Sequence, residues 1–171
     1  MDKSQFEKYI AEMRKMQAMA TLKVNPPTQA AQPPESHENA EDMTGEGRLI
    51  VNVTSVRGIY PVSGALVTVF TGDESNMVKF FEGVTDISGK TPVIPLPAPS
   101  EKYTEAPDPT ERPYAFYNIK TSADGFNDNY NYNVTVFDKV TSLQNVGLTP
   151  IATQSPQNRP IVIDEFENYT L

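Results

Sequence analysis

Asp124, Asn127, Asp128 and Asn129 stand close together in one short stretch, where they could offer a calcium ion the oxygen ligands it prefers. Their spacing is not that of an EF-hand loop, whose ligands converge at fixed alternate positions, and a turn stabilised by Asp and Asn side chains accounts for them. His37 is the only histidine, and there is no cysteine. A Ser-His-Asp arrangement therefore has a single base to draw on, in a stretch without rigid support. A zinc site lacks its ligands, and neither a disulfide nor a cysteine nucleophile can form. No Gly-rich phosphate loop occurs, and no pair of carboxylates is singled out for glycoside hydrolysis. These absences predict a protein that is not an enzyme and uses no cofactor or metal. Asn-x-Thr sequons occur at Asn52, Asn133 and Asn168, and the expected reading is that they are polar residues of solvated strand faces.

The second chemical feature is aromatic. Tyr114, Phe116, Tyr117, Phe126, Tyr130 and Tyr132 crowd one part of the chain, and Tyr103 and Arg112 precede them. Exposed tyrosines beside a loop can stack on sugar rings or hold a partner, which makes Tyr103, Arg112, Tyr114, Tyr117 and Tyr130 the candidate surface residues. Sugar stacking would need several of Tyr103, Tyr114, Tyr117, Tyr130 and Tyr132 to be exposed and coplanar. The competing reading places the same rings in strand cores and cross-strand pairs.

These residues must be positioned by the elements that carry them. At the start of the chain Phe6, Ile10, Met13, Met16 and Ala20 recur at three- and four-residue intervals with Tyr9 beside them, the pattern of an amphipathic helix. Ser4 and Glu7 have capping-box spacing, and Asn25-Pro26-Pro27 forbids continuation. The helix is assigned to residues 1–22. Residues 23–46, rich in Pro, Gln, Glu and Ala, predict a disordered acidic linker stiffened by its Pro-Pro pairs. From residue 47 the period changes to two: RLIVNVTS, ALVTVF, MVKFFEG, YAFYNIKT and NYNVTVFD alternate clearly, SLQNVGL more weakly. Turn signals with glycine separate them, so residues 47–171 predict a β-sandwich. Alternate prolines at Pro95, Pro97 and Pro99 suit an edge strand. Residues 100–113 read as a long exposed loop, and 160–166 as a last short apolar segment.

The chain has 171 residues, enough for one ordinary domain and a tail. Its net charge of −8 divides into +1 for residues 1–22, −4 for 23–47 and −5 for 48–171. No basic stripe is present, which argues against nucleic-acid binding. No stretch is long and apolar enough to span a bilayer. Asp2, Glu7 and Glu12 interrupt the apolar residues at the start, so the expectation is cytoplasmic synthesis without a cleaved secretory signal.

Particular blocks carry a family resemblance. They are Gly47 to Val53, Pro61-Val62-Ser63-Gly64-Ala65-Leu66-Val67-Thr68-Val69, Thr85-Asp86-Ile87-Ser88-Gly89-Lys90-Thr91, Ile94 to Pro99, and Arg112-Pro113-Tyr114. Tyr117-Asn118-Ile119, Ala123-Asp124-Gly125-Phe126, Val136-Phe137 and Leu143-Gln144-Asn145-Val146 continue them. Together they resemble the carboxypeptidase regulatory-like, transthyretin-like sandwich, and more narrowly the non-catalytic domain of clostridial spore cortex-lytic enzymes. The resemblance implies a single seven-stranded transthyretin-like Greek-key β-sandwich without an active site, and it suggests spore association. The lytic activity of those enzymes does not carry over.

Two functions follow as expectations. In the first, the chain is a structural or interaction module whose helix docks through Phe6, Tyr9, Ile10, Met13 and Met16 on a protein partner, on a second copy, or on its own sandwich. In the second, it is a peptidoglycan- or carbohydrate-binding accessory domain that uses the tyrosine-rich surface.

Overall fold

The computed structural model describes residues 42–55, 58–73, 75–104, 112–151 and 159–166. The expected helix, with Phe6, Tyr9, Ile10, Met13 and Met16, lies outside them, as does most of the expected linker. The alternating stretches form strands β1 (Gly45–Ser55), β3 (Leu66–Thr71), β4 (Val78–Val84), β6 (Tyr114–Ser122), β7 (Asn129–Phe137) and β8 (Thr141–Leu148). The proline-alternating stretch forms β5 (Ile94–Ala98), and the last apolar segment contributes β9 (Ile161–Asp164). A two-residue strand, β2 (Tyr60–Pro61), had no period-two signal. Apart from one 3₁₀ turn at Glu101–Thr104 the described chain is all-β, arranged as two sheets. Among the described residues no helix is long and apolar enough to cross a membrane.

Both edges of β1 are used. One pairs in parallel with β8, from Arg48 opposite Thr141 to Ser55 opposite Leu148. The other pairs antiparallel with β5 near its start and with β2 at its end. The larger sheet runs β4-β3-β6-β7-β9. Leu49, Val51 and Val53 of β1, with Ile94, Leu96, Val146 and Leu148, meet Val67, Val69, Tyr117, Ile119, Val134 and Val136 of the larger sheet in one core. A fully buried aliphatic side chain of this size gains about 1.5–3 kcal/mol, so the period-two alternation decides which side of each strand turns inward. On β5 the inward residues are Ile94, Leu96 and Ala98, while Pro95 and Pro97 face out on a strand that pairs only with β1 among the described residues.

Strand β1 begins at Gly45, ahead of the expected boundary at residue 47, and Met43 packs against the core. The reason is specific: Met43 is the one large apolar side chain of residues 25–46, and its partial burial against the core holds its neighbours beside the sheet. The Asp138 carboxylate completes the join. It accepts the backbone N–H of Glu46 at 3.0 Å and that of Glu101 at 3.0 Å, tying the start of β1 and the 3₁₀ turn to the β7–β8 turn. These two bonds, the Glu101 amide foremost, hold its pKa below the usual carboxylate value.

The motif Thr85 to Gly89 shows its physics at the β4–β5 connection. Buried Thr85 donates its hydroxyl to the Val62 carbonyl at 2.7 Å and accepts the Ala65 N–H at 3.0 Å. Asp86 accepts the backbone N–H of Ser88 at 2.8 Å and of Lys90 at 3.0 Å. Gly89 takes φ +76°, and a Cβ there would stand 2.4 Å from the Val53 carbonyl oxygen. The motif is thus a device that locks one turn onto β1 and onto the β2–β3 turn.

Two outcomes are expected. Thr85→Val keeps the volume but strands one buried donor and one buried acceptor, so denaturant titration should show a loss of about 2–4 kcal/mol. For Asp138, whose folded pKa is depressed, the stabilisation is present above the ordinary carboxylate pKa of about 4 and is lost as pH falls through the lower folded value. Asp138→Asn should therefore lower the unfolding midpoint at neutral pH and flatten its fall in acid; an unchanged acid limb would show that the clip contributes nothing.

Candidate functional site

At one end of the sandwich the β2–β3 and β6–β7 turns come together beside the β4–β5 turn. A cleft of about 580 Å³ opens there between Ser63 and Leu66 on one side and Ser122, Asp124, Phe126 and Asp128 on the other. Its walls are fixed from behind. The Phe126 N–H bonds the Ala123 carbonyl at 3.1 Å, Asn127 bonds the Thr149 carbonyl at 2.9 Å, and Ile151 bonds the Gly125 carbonyl at 2.9 Å. The β6–β7 turn is thereby pinned to the end of β8, and Gly125 supplies the positive φ of +82° that closes it. The cleft offers carboxylate and hydroxyl acceptors around one half-buried ring, a lining suited to a polar ligand. Asp124 and Asp128, read from the sequence as turn residues, line it together. No group of three or more His, Cys, Asp or Glu gathers to hold a metal ion among the described residues.

Around the same end several large apolar side chains face solvent. Ile59 and Tyr60 flank the start of β2, Val84 and Leu66 are register partners on β4 and β3, and Ile87 tips the β4–β5 turn at 89% exposure. Ile59 and Ile87 were not singled out by periodicity, because both lie in turns.

The tyrosines divide. Tyr117 is fully buried in the core, donating its hydroxyl to the Pro97 carbonyl at 2.7 Å, and burial raises its pKa. Tyr130 and Tyr132 are 9% and 2% exposed and lie nearly parallel at 6.4 Å, with the Lys120 ammonium 5.1 Å over the Tyr130 ring. The expectation that Tyr117 and Tyr130 form a stacking surface is thus corrected: both are packed by their neighbours, and an exposed coplanar set is not made from them. Tyr114 is half-buried against Phe116 and Phe137 at 5.3 and 5.5 Å, and exposed Arg112 lies 5.4 Å over Phe116. Tyr103, on the 3₁₀ turn, donates its hydroxyl to Asp42; that bond first, then Thr44 and Lys102, holds the Asp42 pKa far below the ordinary value. Tyr103 and Arg112 therefore precede β6 and Tyr114 begins it opposite Phe137, whereas Tyr130 lies opposite Lys120 near the strand's other end.

A second polar gathering escaped the sequence. A smaller cleft of about 230 Å³ is lined by Asn133, Ser142, Gln144 and Glu165. Glu165 accepts from Gln144 at 2.8 Å and also from Asn131, and Asn133 donates to both Asp164 oxygens at 3.1 Å. Asn133 is fully buried, which corrects its reading as a solvated strand-face residue and puts its sequon out of reach in the folded domain. The alternation Asn129-Tyr130-Asn131-Tyr132-Asn133 was the available signal, since it puts amides on a face that neighbouring strands fill with aliphatics.

No protein family matches the chain, and no curated protein does. Solved structures similar to it include the minor pilin of Streptococcus agalactiae, 15% identical over 64% of this chain and 46% of that one, with a TM-score of 0.41. Catechol 1,2-dioxygenase from Acinetobacter sp. ADP1 is 13% identical over 91% of this chain and 74% of that one, with a TM-score of 0.43. The shaft pilin of Lactobacillus rhamnosus GG is 12% identical over 61% and 49%, with a TM-score of 0.35. The chain spans about half the length of either pilin. At these identities and scores none of them lends its activity to this chain. The expectation that the chain is not an enzyme is nevertheless corrected. Catechol, 3-chlorocatechol and hydroxyquinol 1,2-dioxygenases are among the similar structures.

Proposed function

We propose that the chain is a structural or interaction module: a braced β-sandwich joined to a protein partner, or to a second copy of itself, through apolar contacts. The supporting observation is the end of the sandwich where Ile59, Tyr60, Leu66, Val84 and Ile87 all face solvent on adjoining turns and strand ends. Exposed apolar residues scattered singly need no explanation, whereas several on one end mark a contact surface. The N-terminal segment is the second contact element, with Phe6, Tyr9, Ile10, Met13 and Met16 as its apolar side. The transthyretin-like, carboxypeptidase regulatory-like kinship belongs to the same proposal. Its support is that the blocks Pro61 to Val69 and Thr85 to Thr91 form the interlocked turns at this end.

The test is light scattering of the full chain beside Ile10→Asp/Met13→Asp and Val84→Asp/Ile87→Asp, with thermal unfolding of all three. Loss of two buried aliphatic side chains should weaken association by about 3 kcal/mol, roughly a hundredfold. A wild-type assembly that dissociates in either variant, at unchanged unfolding midpoint, carries the proposal for self-association. A monomeric wild type with unchanged midpoints directs the contact to a different protein. A large fall in midpoint for the N-terminal variant would sink the docking role, since the segment would then belong to its own domain.

A further inference from the structure

At the end of the core nearest the β6–β7 turn, the inward positions of β6 and β7 are Thr and Asn, whereas further along these strands they are Ala, Tyr, Ile and Val. Thr121 and Asn129 are register partners across β6 and β7, and Asn131, opposite core residue Ile119, is the next residue of β7 on the same face. All are at most 1% exposed. The Thr121 hydroxyl oxygen and the Oδ1 atoms of Asn129 and Asn131 have no hydrogen-bond partner among the described residues. The orientation of both amides is set by their nitrogens. Asn129 Nδ2 donates to the Gly147 carbonyl at 3.4 Å, and Asn131 Nδ2 donates to Glu165. Turning either amide over would bring oxygen against oxygen, so the oxygens are the ends left unpaired.

Buried polar atoms are almost always paired, and three unpaired ones at adjacent same-face positions need a common cause. Residues opposite each other in an antiparallel pair hold their Cβ atoms about 5 Å apart, and same-face neighbours along a strand lie about 7 Å apart. Side chains at that spacing are within reach of a single shared oxygen at hydrogen-bonding distance. We propose that Thr121, Asn129 and Asn131 form a binding site for one internal water molecule. The count of donors and acceptors matches: two water hydrogens go to the two amide oxygens, and a water lone pair accepts the Thr121 hydroxyl proton. Buried waters typically make about three such bonds. The water extends the hydrogen bonds of β6 and β7 to β8 through Asn129 and to Glu165 through Asn131. It closes the polar end of the core immediately beside the cleft residues Ser122 and Asp128.

The same three oxygens could instead ligate a monovalent cation, and the experiment separates the two. Crystals of the full chain are grown with rubidium as the only alkali cation, and data are collected above and below its absorption edge. One non-anomalous density peak, 2.6–3.2 Å from all three atoms in the usual hydrogen-bonding range, is the expected result. An anomalous peak there overturns the proposal in favour of a cation. Absence of density, or a direct bond from Thr121 to Asn129 Oδ1, also overturns it. In solution, water-oxygen relaxation dispersion should count one fewer long-lived water in Thr121→Val/Asn129→Leu/Asn131→Leu than in the wild type, with Thr121→Ser unchanged. If the triple variant does not fold, Thr121→Val alone serves, and an unchanged count in a folded variant sinks the assignment.

Discussion

The smaller sheet exists because β1 is paired along both of its edges. Its inward residues, Leu49, Val51 and Val53, are fully buried against the larger sheet, while its edges hold β8 in parallel and β5 and β2 antiparallel. None of these partners pairs with another among the described residues, so each depends on β1 for its backbone hydrogen bonds. The β8 partner arrives more than ninety positions later in the chain, with Arg48 opposite Thr141. Contacts that far apart are costly to close, and the two-sheet body is the structure in which that closure is repaid by burial.

The turns follow from that constraint. Thr85, Asp86 and Gly89 serve less to reverse the chain than to fasten it: the Gly89 carbonyl accepts the Val53 N–H at 2.7 Å, and Thr91 donates to the Val51 carbonyl at 3.0 Å. The Asp138 carboxylate does the same at the opposite end of β1. Both ends of the central strand are thus held by short polar devices, and the aliphatic middle needs none.

The larger sheet is less conventional because β7 is buried on both faces. Toward the other sheet it presents Asn129 and Asn131 before changing to Val134 and Val136; on its far face Tyr132 meets Phe70 edge-on at 6.5 Å. The change is made by a bulge opposite Asn118, with Asn133 at φ +60°, a conformation an asparagine tolerates better than most residues. Asn118 Oδ1 accepts the Asn133 N–H at 3.1 Å, stabilising the kink. Packing on both faces is also why the tyrosines of this region are structural.

Local pattern alone determined much. Period two located the longer strands, because a half-buried strand can satisfy burial and solvation only by alternating. Glycine and Asp–Ser turns marked their ends, because few other residues tolerate those conformations, and alternate prolines placed β5 on a rim, because proline lacks a donor. Residue type also made Met43 the one large apolar side chain of residues 25–46, although its membership in the core could be known only once that core existed. What tertiary structure decided was everything that depends on which distant strand lies alongside. This includes the parallel partnership of β1 with β8, the burial of Tyr117 and Tyr130, the bulge at Asn133 and the inward turn of Asn129 and Asn131. The candidate clefts belong to the same class. Alternation says that two faces differ, but a face becomes core or surface only through what packs on it, and in β7 neighbours pack on both.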